Sequence, residues 1–338
     1  MSSFHFTAAN QSSTYREYVM EQTQNIDQPV NTTAWLQDEE HPRYPEGARD
    51  KALLYCPDRA PYPFLKTNHR YLYKRSSPKY PEQFWVEVLA YRLGAKMNIE
   101  VPPAFVAYNT DENTAAALIE WFLLSDSERS IPGGDFCQQQ LPSFDRKKGK
   151  QHNVEMLQTI FREIESENKI QLHWEKYWSK ALLFDALIGN TDRHQENWCI
   201  IETPHADNQT QTLRFCPVFD NGTSMGHEIP ATDFEKFKDP KYVERYVSRG
   251  WHHLRWNLHD PKAMKHIPML MKWVQQHPET RKIMLSCLDR INHLVFEDTL
   301  NHLMSFRVPI PLTTARATLM LELLRYRHKK LLETLTCH

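Results

Sequence analysis

LIGNTDRHQENWCII, residues 187–201, and FCPVFDNGTSMG, residues 215–226, are the stretches on which the reading of this chain turns. Phosphoryl transfer needs a carboxylate that accepts or orients the proton of an attacking hydroxyl. It also needs oxygen ligands that hold magnesium against the phosphates. Asp192 and Asn197 stand five residues apart, a spacing that serves both needs from one loop. An apolar strand, WCIIE, leaves this loop, and a second, LRFCPVFD, returns to it. The hairpin so formed delivers Asp220 back beside Asn197. Asn221 and Gly222 follow at once, a turn that frees the Asp220 carboxylate to face a metal. Asp, Asn and Gly also dominate ordinary turns, so the Asp–Asn spacing alone says little. The weight lies in the order: helix, polar loop, apolar strand, loop, apolar strand, then Asp-Asn-Gly.

Working outward, the preceding segments EMLQTIFREI and HWEKYWSKALLFDALI carry apolar residues at helical spacing. Ser125 to Lys150 reads as loop, with two adjacent glycines and the basic run RKKGK, which is either solvated surface or a substrate contact. Upstream, PAFVAY and AAALIEWFLL read as apolar strands. Residues 81–97 read as a helix carrying Phe84, Val88, Leu89 and Leu93, with Pro81 ahead of it and Gly94 near its end. YLYKRSS is a short alternating strand that ends in Lys74, and YPEGARDKALLYCP reads as strand, tight turn and strand. Residues 1–40 are rich in Ser, Thr, Gln and Asn and read as a polar arm with one short helix around residues 14–24. From Asp233 to the end the pattern is helical, and its Trp, Leu and Met stripes read as core. Strands with one helix therefore come first, followed by a mostly helical half that holds one hairpin. No βαβ repeat appears, so the fold class is α+β with two lobes.

Composition bounds the rest. The 338 residues are 41% hydrophobic and 25% charged, an ordinary globular balance. A net charge of -1 provides no global field toward nucleic acid or an anionic membrane. No apolar run is long enough to span a bilayer, and the first residues lack a basic-then-apolar leader pattern. The six cysteines form no CxxC pair, which speaks against zinc and against a disulfide framework, so a cytoplasmic setting is expected.

The quoted segments resemble the HipA-like kinases. DALIGNTDRHQENWCII is similar to their catalytic loop and to that of type II phosphatidylinositol 4-kinases, and FDNGTSMG is similar to the metal-binding segment that follows in both. EGARDKALL resembles the HipA phosphate loop. YLYKRSS and PEQFWVEVLAYRLGAKMNIEVP resemble the nucleotide-lysine strand and first helix, IEWF the linker between lobes, and FCQQQLPSF a later family segment. The resemblance runs from about residue 43 to 226.

It implies a bilobal protein-kinase-like fold: a nucleotide-binding, β-rich N-lobe over residues 41–123 and a mostly helical C-lobe over 124–338. It implies ATP and magnesium as cofactors. Asp192 would be the catalytic base, with His194 buttressing its loop, and Asn197 and Asp220 would bind magnesium. Lys74 would meet the α- and β-phosphates, held by Glu87, although Glu82 lies close enough in sequence to compete for that role. Gly47 and Ala48 would bring backbone amides to the phosphates, with Lys51 nearby. Glu120 to Phe122 would present backbone groups to adenine.

Pro45 and Glu46 stand where some members place a serine, which puts regulation by phosphorylation there in doubt. The chain is also too short at its N-terminus for the extra small domain of long HipA toxins. The expected activity is transfer of the γ-phosphoryl group to a protein Ser or Thr hydroxyl, in a toxin component or an effector delivered to a host, with an antitoxin or regulatory partner and no direct nucleic-acid binding. A phosphoinositide or other small-molecule kinase is the alternative within the class, and a nucleotide-binding pseudokinase module the alternative outside it. The absence of a Cys-rich palmitoylation stretch favours the protein acceptor.

Overall fold

The structure is a computed structural model that describes residues 23–38, 50–168, 170–204 and 211–337. Gly47 and Ala48 lie outside the described residues, as do the first strand and turn expected over 43–49 and nearly all of the helix expected at 14–24.

Six strands form one sheet in the order β1-β5-β6-β4-β3-β2. They are β1 (Val30–Asn31), β2 (Leu36–Gln37), β3 (Lys51–Tyr55), β4 (Arg70–Arg75), β5 (Ala104–Asn109) and β6 (Thr114–Glu120). β1 runs parallel to β5, and every other neighbouring pair is antiparallel. Residues 30–37, expected in a free arm, are therefore edge strands of this sheet. Gln24 explains the attachment: its side chain donates to the Val106 carbonyl at 3.1 Å and accepts from the Val106 amide at 2.8 Å. A buried amide satisfying backbone groups gives no apolar periodicity to read.

Helix α1 (Phe84–Met97) packs on β5 and β6 and is buried over every residue from Phe84 to Gly94. A helix buried all round in this way lies within a core. It ends at Asn98 in the left-handed conformation, whose amide reaches back to Ala95 O, while the Ile99 amide reaches Gly94 O.

The second half is helical around α4 (Trp174–Ile188), which contacts α6 (His266–Gln276), α7 (Thr280–Leu288) and α9 (Thr314–Thr336). α3 (Val154–Asn168) precedes α4, a 3₁₀ helix (Ala231–Lys238) and α5 (Pro240–Val247) lie between α4 and α6, and α8 (His293–Met304) lies between α7 and α9. The segment expected as loop at 125–150 contains β7 (Arg129–Pro132) and α2 (Gly133–Gln140). β7 joins the hairpin of β8 (Cys199–Pro204) and β9 (Gln211–Phe215) in a three-stranded sheet. Gly133 starts α2 because Trp198 lies against it: a Cβ there would fall 2.1 Å from the indole. The adjacent glycines thus mark a close approach, not a flexible linker.

Behind the hairpin sits an aromatic core of Phe161, Trp174, Tyr177, Trp178, Trp198 and Phe215. Tyr177 stacks on Phe215 at 4.1 Å, and Phe161 meets Trp198 edge-on at 5.4 Å. Truncating any one fully buried member of this set would cost about 3–5 kcal/mol. The polar loop between α4 and β8 therefore rests on a rigid base.

Candidate functional site

Lys74, near the end of β4, is 4% exposed and lies between two carboxylates. Its Nζ is 2.7 Å from Glu87 Oε1 on α1 and 2.7 Å from Asp220 Oδ1 beyond β9. Lys74 thus meets a carboxylate 146 positions away in sequence. Glu87 also accepts from the Asn221 amide through Oε2 at 3.1 Å, so one side chain orients both the lysine and the Asp220 turn. The competition between the two glutamates is resolved by position: Glu87 lies on α1 and Glu82 in the turn that precedes it. Glu87 faces the sheet, whereas Glu82 pairs with Arg316 of α9 at 2.9 Å.

Asp220 adopts the left-handed conformation at φ +54°. Asp visits that region through its short polar side chain, and non-glycine residues held there cluster at functional sites. The segment after it is held from several sides. Gln83 Nε2 donates to Gly222 O at 2.9 Å, the Met225 amide to Ile188 O at 2.8 Å, and Arg316 Nη1 to Gly226 O at 2.9 Å. The C-terminal helix α9, featureless as sequence, thereby anchors the turn.

The 190–197 loop starts where α4 ends at Gly189, φ +72°, with the Arg327 guanidinium against it. Asn190 Oδ1 accepts from the Asp192 amide at 3.1 Å and from Thr223 Oγ1 at 2.9 Å. Asn197 Nδ2 donates to the Asp192 carbonyl at 2.6 Å, which closes the loop on itself. Burial pushes the Asp192 carboxyl above its ordinary pKa, and the Asp220 charge adds to the effect, while His194, His253 and Arg193 oppose it. That coupling places the two candidate carboxylates within electrostatic reach of each other. The His194 amide donates to Asp192 O at 2.9 Å, and its Nδ1 accepts from the Glu196 amide at 3.1 Å. His194 therefore braces the loop.

Arg193, absent from the sequence-based site, is the hub of the assembly. It is 2% exposed. Its guanidinium grips Asp185 of α4 through two bonds of 2.8 and 3.1 Å and reaches Asn221 Oδ1 at 2.8 Å. It also donates to the carbonyls of Asn197 and Phe219. One planar cation thus ties α4, the 190–197 loop and the Asp220 turn together, a use that suits the fork geometry of Arg and not Lys. Its signal in the sequence was only adjacency to Asp192.

The remaining candidates are placed less directly. Lys51 begins β3 directly across from Lys74, so the two side chains share one face of the sheet. Glu120 ends β6. Its amide donates to Pro103 O at 2.7 Å, and its carboxylate pairs with Lys66 at 2.7 Å. Phe122 packs on Phe219 with 5.3 Å between rings, next to Asp220, and its carbonyl accepts from Arg214 at 3.2 Å.

The donor set suits a hard cation. Asp220 offers carboxylate oxygens, and with Nδ2 of Asn197 engaged on Asp192 O, the amide oxygen is the end that can face a ligand. No cluster of three or more His, Cys, Asp or Glu able to hold a metal occurs among the described residues. A cation here would draw its other ligands from phosphate and water, which is the habit of magnesium.

The family model of the HipA-like C-terminal domain matches residues 45–291. Among solved structures, the chain is similar to the Helicobacter pylori proinflammatory kinase CtkA. The identity is 14% and the TM-score 0.71, over 91% of this chain and 97% of that one. It also aligns with a chain of the Shewanella oneidensis HipA, HipB and operator DNA complex at 16% identity and TM-score 0.46, over 88% of this chain and 65% of that one. No curated protein matches.

Proposed function

Because the chain belongs to the HipA-like C-terminal domain family, a family of kinases, we propose that it is an ATP- and magnesium-dependent kinase acting on a protein Ser or Thr hydroxyl. The observation that carries this reading is the Lys74 ammonium bridging Glu87 and Asp220. A buried lysine held by two carboxylates from opposite halves of the chain is poised to accept the α- and β-phosphates as a third anionic partner. Glu87 then keeps the ammonium in place while Asp220 turns toward the metal.

Asn197 and Asp220 would hold magnesium, which when bound neutralises phosphate charge and orients the γ-phosphoryl group. Asp192 accepts the proton of the attacking hydroxyl. Burial raises its pKa, which makes it a stronger base than an exposed carboxylate. Arg193 and His194 act through position, fixing the loop that presents Asp192. Lys51, on the Lys74 face of the sheet, would approach the phosphates, and the 120–122 stretch would line the adenine end.

Incubation with labelled ATP and magnesium, with a protein mixture and with phosphoinositide vesicles in parallel, tests the reading. Label should enter protein Ser or Thr and vanish in Asp192→Ala or with excess chelator. Label in lipid alone would reassign the enzyme as a phosphoinositide kinase. Label that persists in Asp192→Ala would refute the assignment of the base.

A further inference from the structure

The basic run at 146–150 has no part in the chemistry above, yet it packs on the 190–197 loop. Gln195 Nε2 donates to Arg146 O at 2.7 Å, and Arg146 grips Glu196 with bonds of 2.6 and 2.7 Å. Gly149, at φ +58°, approaches so closely that a Cβ would lie 2.4 Å from Gln195 Oε1 and 3.0 Å from His253 Cε1. His253 meets the His194 ring at 5.7 Å, and both imidazoles act electrostatically on Asp192. The run therefore borders the loop that carries Asp192.

Its charges divide into two sets. Arg146 is neutralised by Glu196 and Asp135, and Lys148 pairs with Asp145 at 3.2 Å. Lys147 and Lys150 are exposed, and no carboxylate among the described residues pairs with either.

A second basic group reaches the same loop from the 251–266 segment. His266 Nε2 bonds the Asn190 carbonyl at 2.8 Å, and Lys265 beside it bridges in backbone to Trp251. The ammonium groups of Lys262 and Lys265 each lie 5.4 Å from the Trp251 ring, and that ring is 37% exposed. Four lysines thus lie on two segments that contact the 190–197 loop, in a chain whose net charge is -1.

We infer that this surface is the acceptor-docking face and that it selects an acidic polypeptide segment, a Ser or Thr flanked by Asp and Glu. The inference rests on the protein-kinase reading above. Cations spread over two segments match charges strung along an extended chain, whereas a single headgroup needs them converging on one point. Trp251 carries the ammonium groups of Lys262 and Lys265 against its ring. Acidic flanks would otherwise be repelled by Asp192 and Asp220, so the lysines also offset that cost and steer the encounter.

The test uses fluorescence anisotropy with the full chain and two labelled peptides, a Ser flanked by Glu and the same Ser flanked by Gln. The Glu peptide should bind about ten-fold tighter at low salt, and Lys147→Glu with Lys150→Glu should erase that preference. The melting temperature and ATP turnover without peptide should stay unchanged in the double variant. Equal binding of the two peptides, a preference that survives the double variant, or phosphoryl transfer to phosphoinositide vesicles and to no peptide would each overturn the inference. A chain that binds the Glu peptide through these lysines but never turns over ATP would support the docking face and refute the kinase reading instead.

Discussion

Replacing Arg193 by methionine should destabilise the protein more than any substitution of a residue that acts only in chemistry. Methionine keeps much of the volume and removes five donated bonds. Three go to neutral acceptors: Asn221 Oδ1 and the carbonyls of Asn197 and Phe219. Two go to Asp185, which is fully buried and would keep only the 3.0 Å bond from Asn190 Nδ2 on its side chain. Breaking a buried pair by removing one partner leaves an uncompensated charge and costs about 3–5 kcal/mol. Against a total stability of about 5–15 kcal/mol, that is a large fraction. Adding Asp185→Leu should recover a substantial part, since no buried charge then remains unpaired. Urea unfolding followed by the fluorescence of the nine tryptophans measures both, provided the slope against denaturant is unchanged. A loss below about 1 kcal/mol in Arg193→Met, or strictly additive single losses in the double variant, would refute the role of Arg193 as the tie between α4, the loop and the Asp220 turn.

Two further outcomes follow from titration. Asp192 has a folded-state pKa raised above its ordinary value by burial, so its ionised form is disfavoured in the folded state. Asp192→Asn should therefore melt at or above the wild-type temperature at pH 7 while losing about 10²–10⁴-fold in transfer rate, with the stability gain fading as pH falls through the raised folded-state pKa toward the ordinary carboxylate value. A lower melting temperature at pH 7 would refute it. His252 is buried, neither ring nitrogen has a partner among the described residues, and its pKa is lowered to about 3. With an ordinary value of 6.5 when unfolded, the unfolded chain binds the proton first, so His252 costs stability as pH drops from about 6.5 toward 3. His252→Phe should flatten that part of the stability profile in acid-dependent urea unfolding. An unchanged slope would remove His252 as a contributor.

Much of the chain was legible before folding because its signals are local. The helix over 84–97 followed from apolar spacing. The β8–β9 hairpin followed from two apolar runs about a polar loop, and the Asp192, Asn197 and Asp220 positions followed from their place around that hairpin. These depend on neighbours a few residues away, which is the range over which periodicity and turn chemistry act.

Tertiary structure alone decided which glutamate meets Lys74, because α1 begins only after Glu82, and its packing on the sheet turns Glu87 to the lysine while Glu82 meets Arg316 of α9. It alone showed that residues 30–37 are edge strands, since a two-residue strand carries no period. It alone found α2 in a segment whose paired glycines mimic a loop, because the reason for them is Trp198, 65 positions downstream of Gly133. Arg193 and the anchoring arginines of α9 were invisible for the same reason. A buried cation is recognised by the acceptors that surround it, and those come from α4, the 190–197 loop and the segment after Asp220, which only the folded chain brings to Arg193 and to α9.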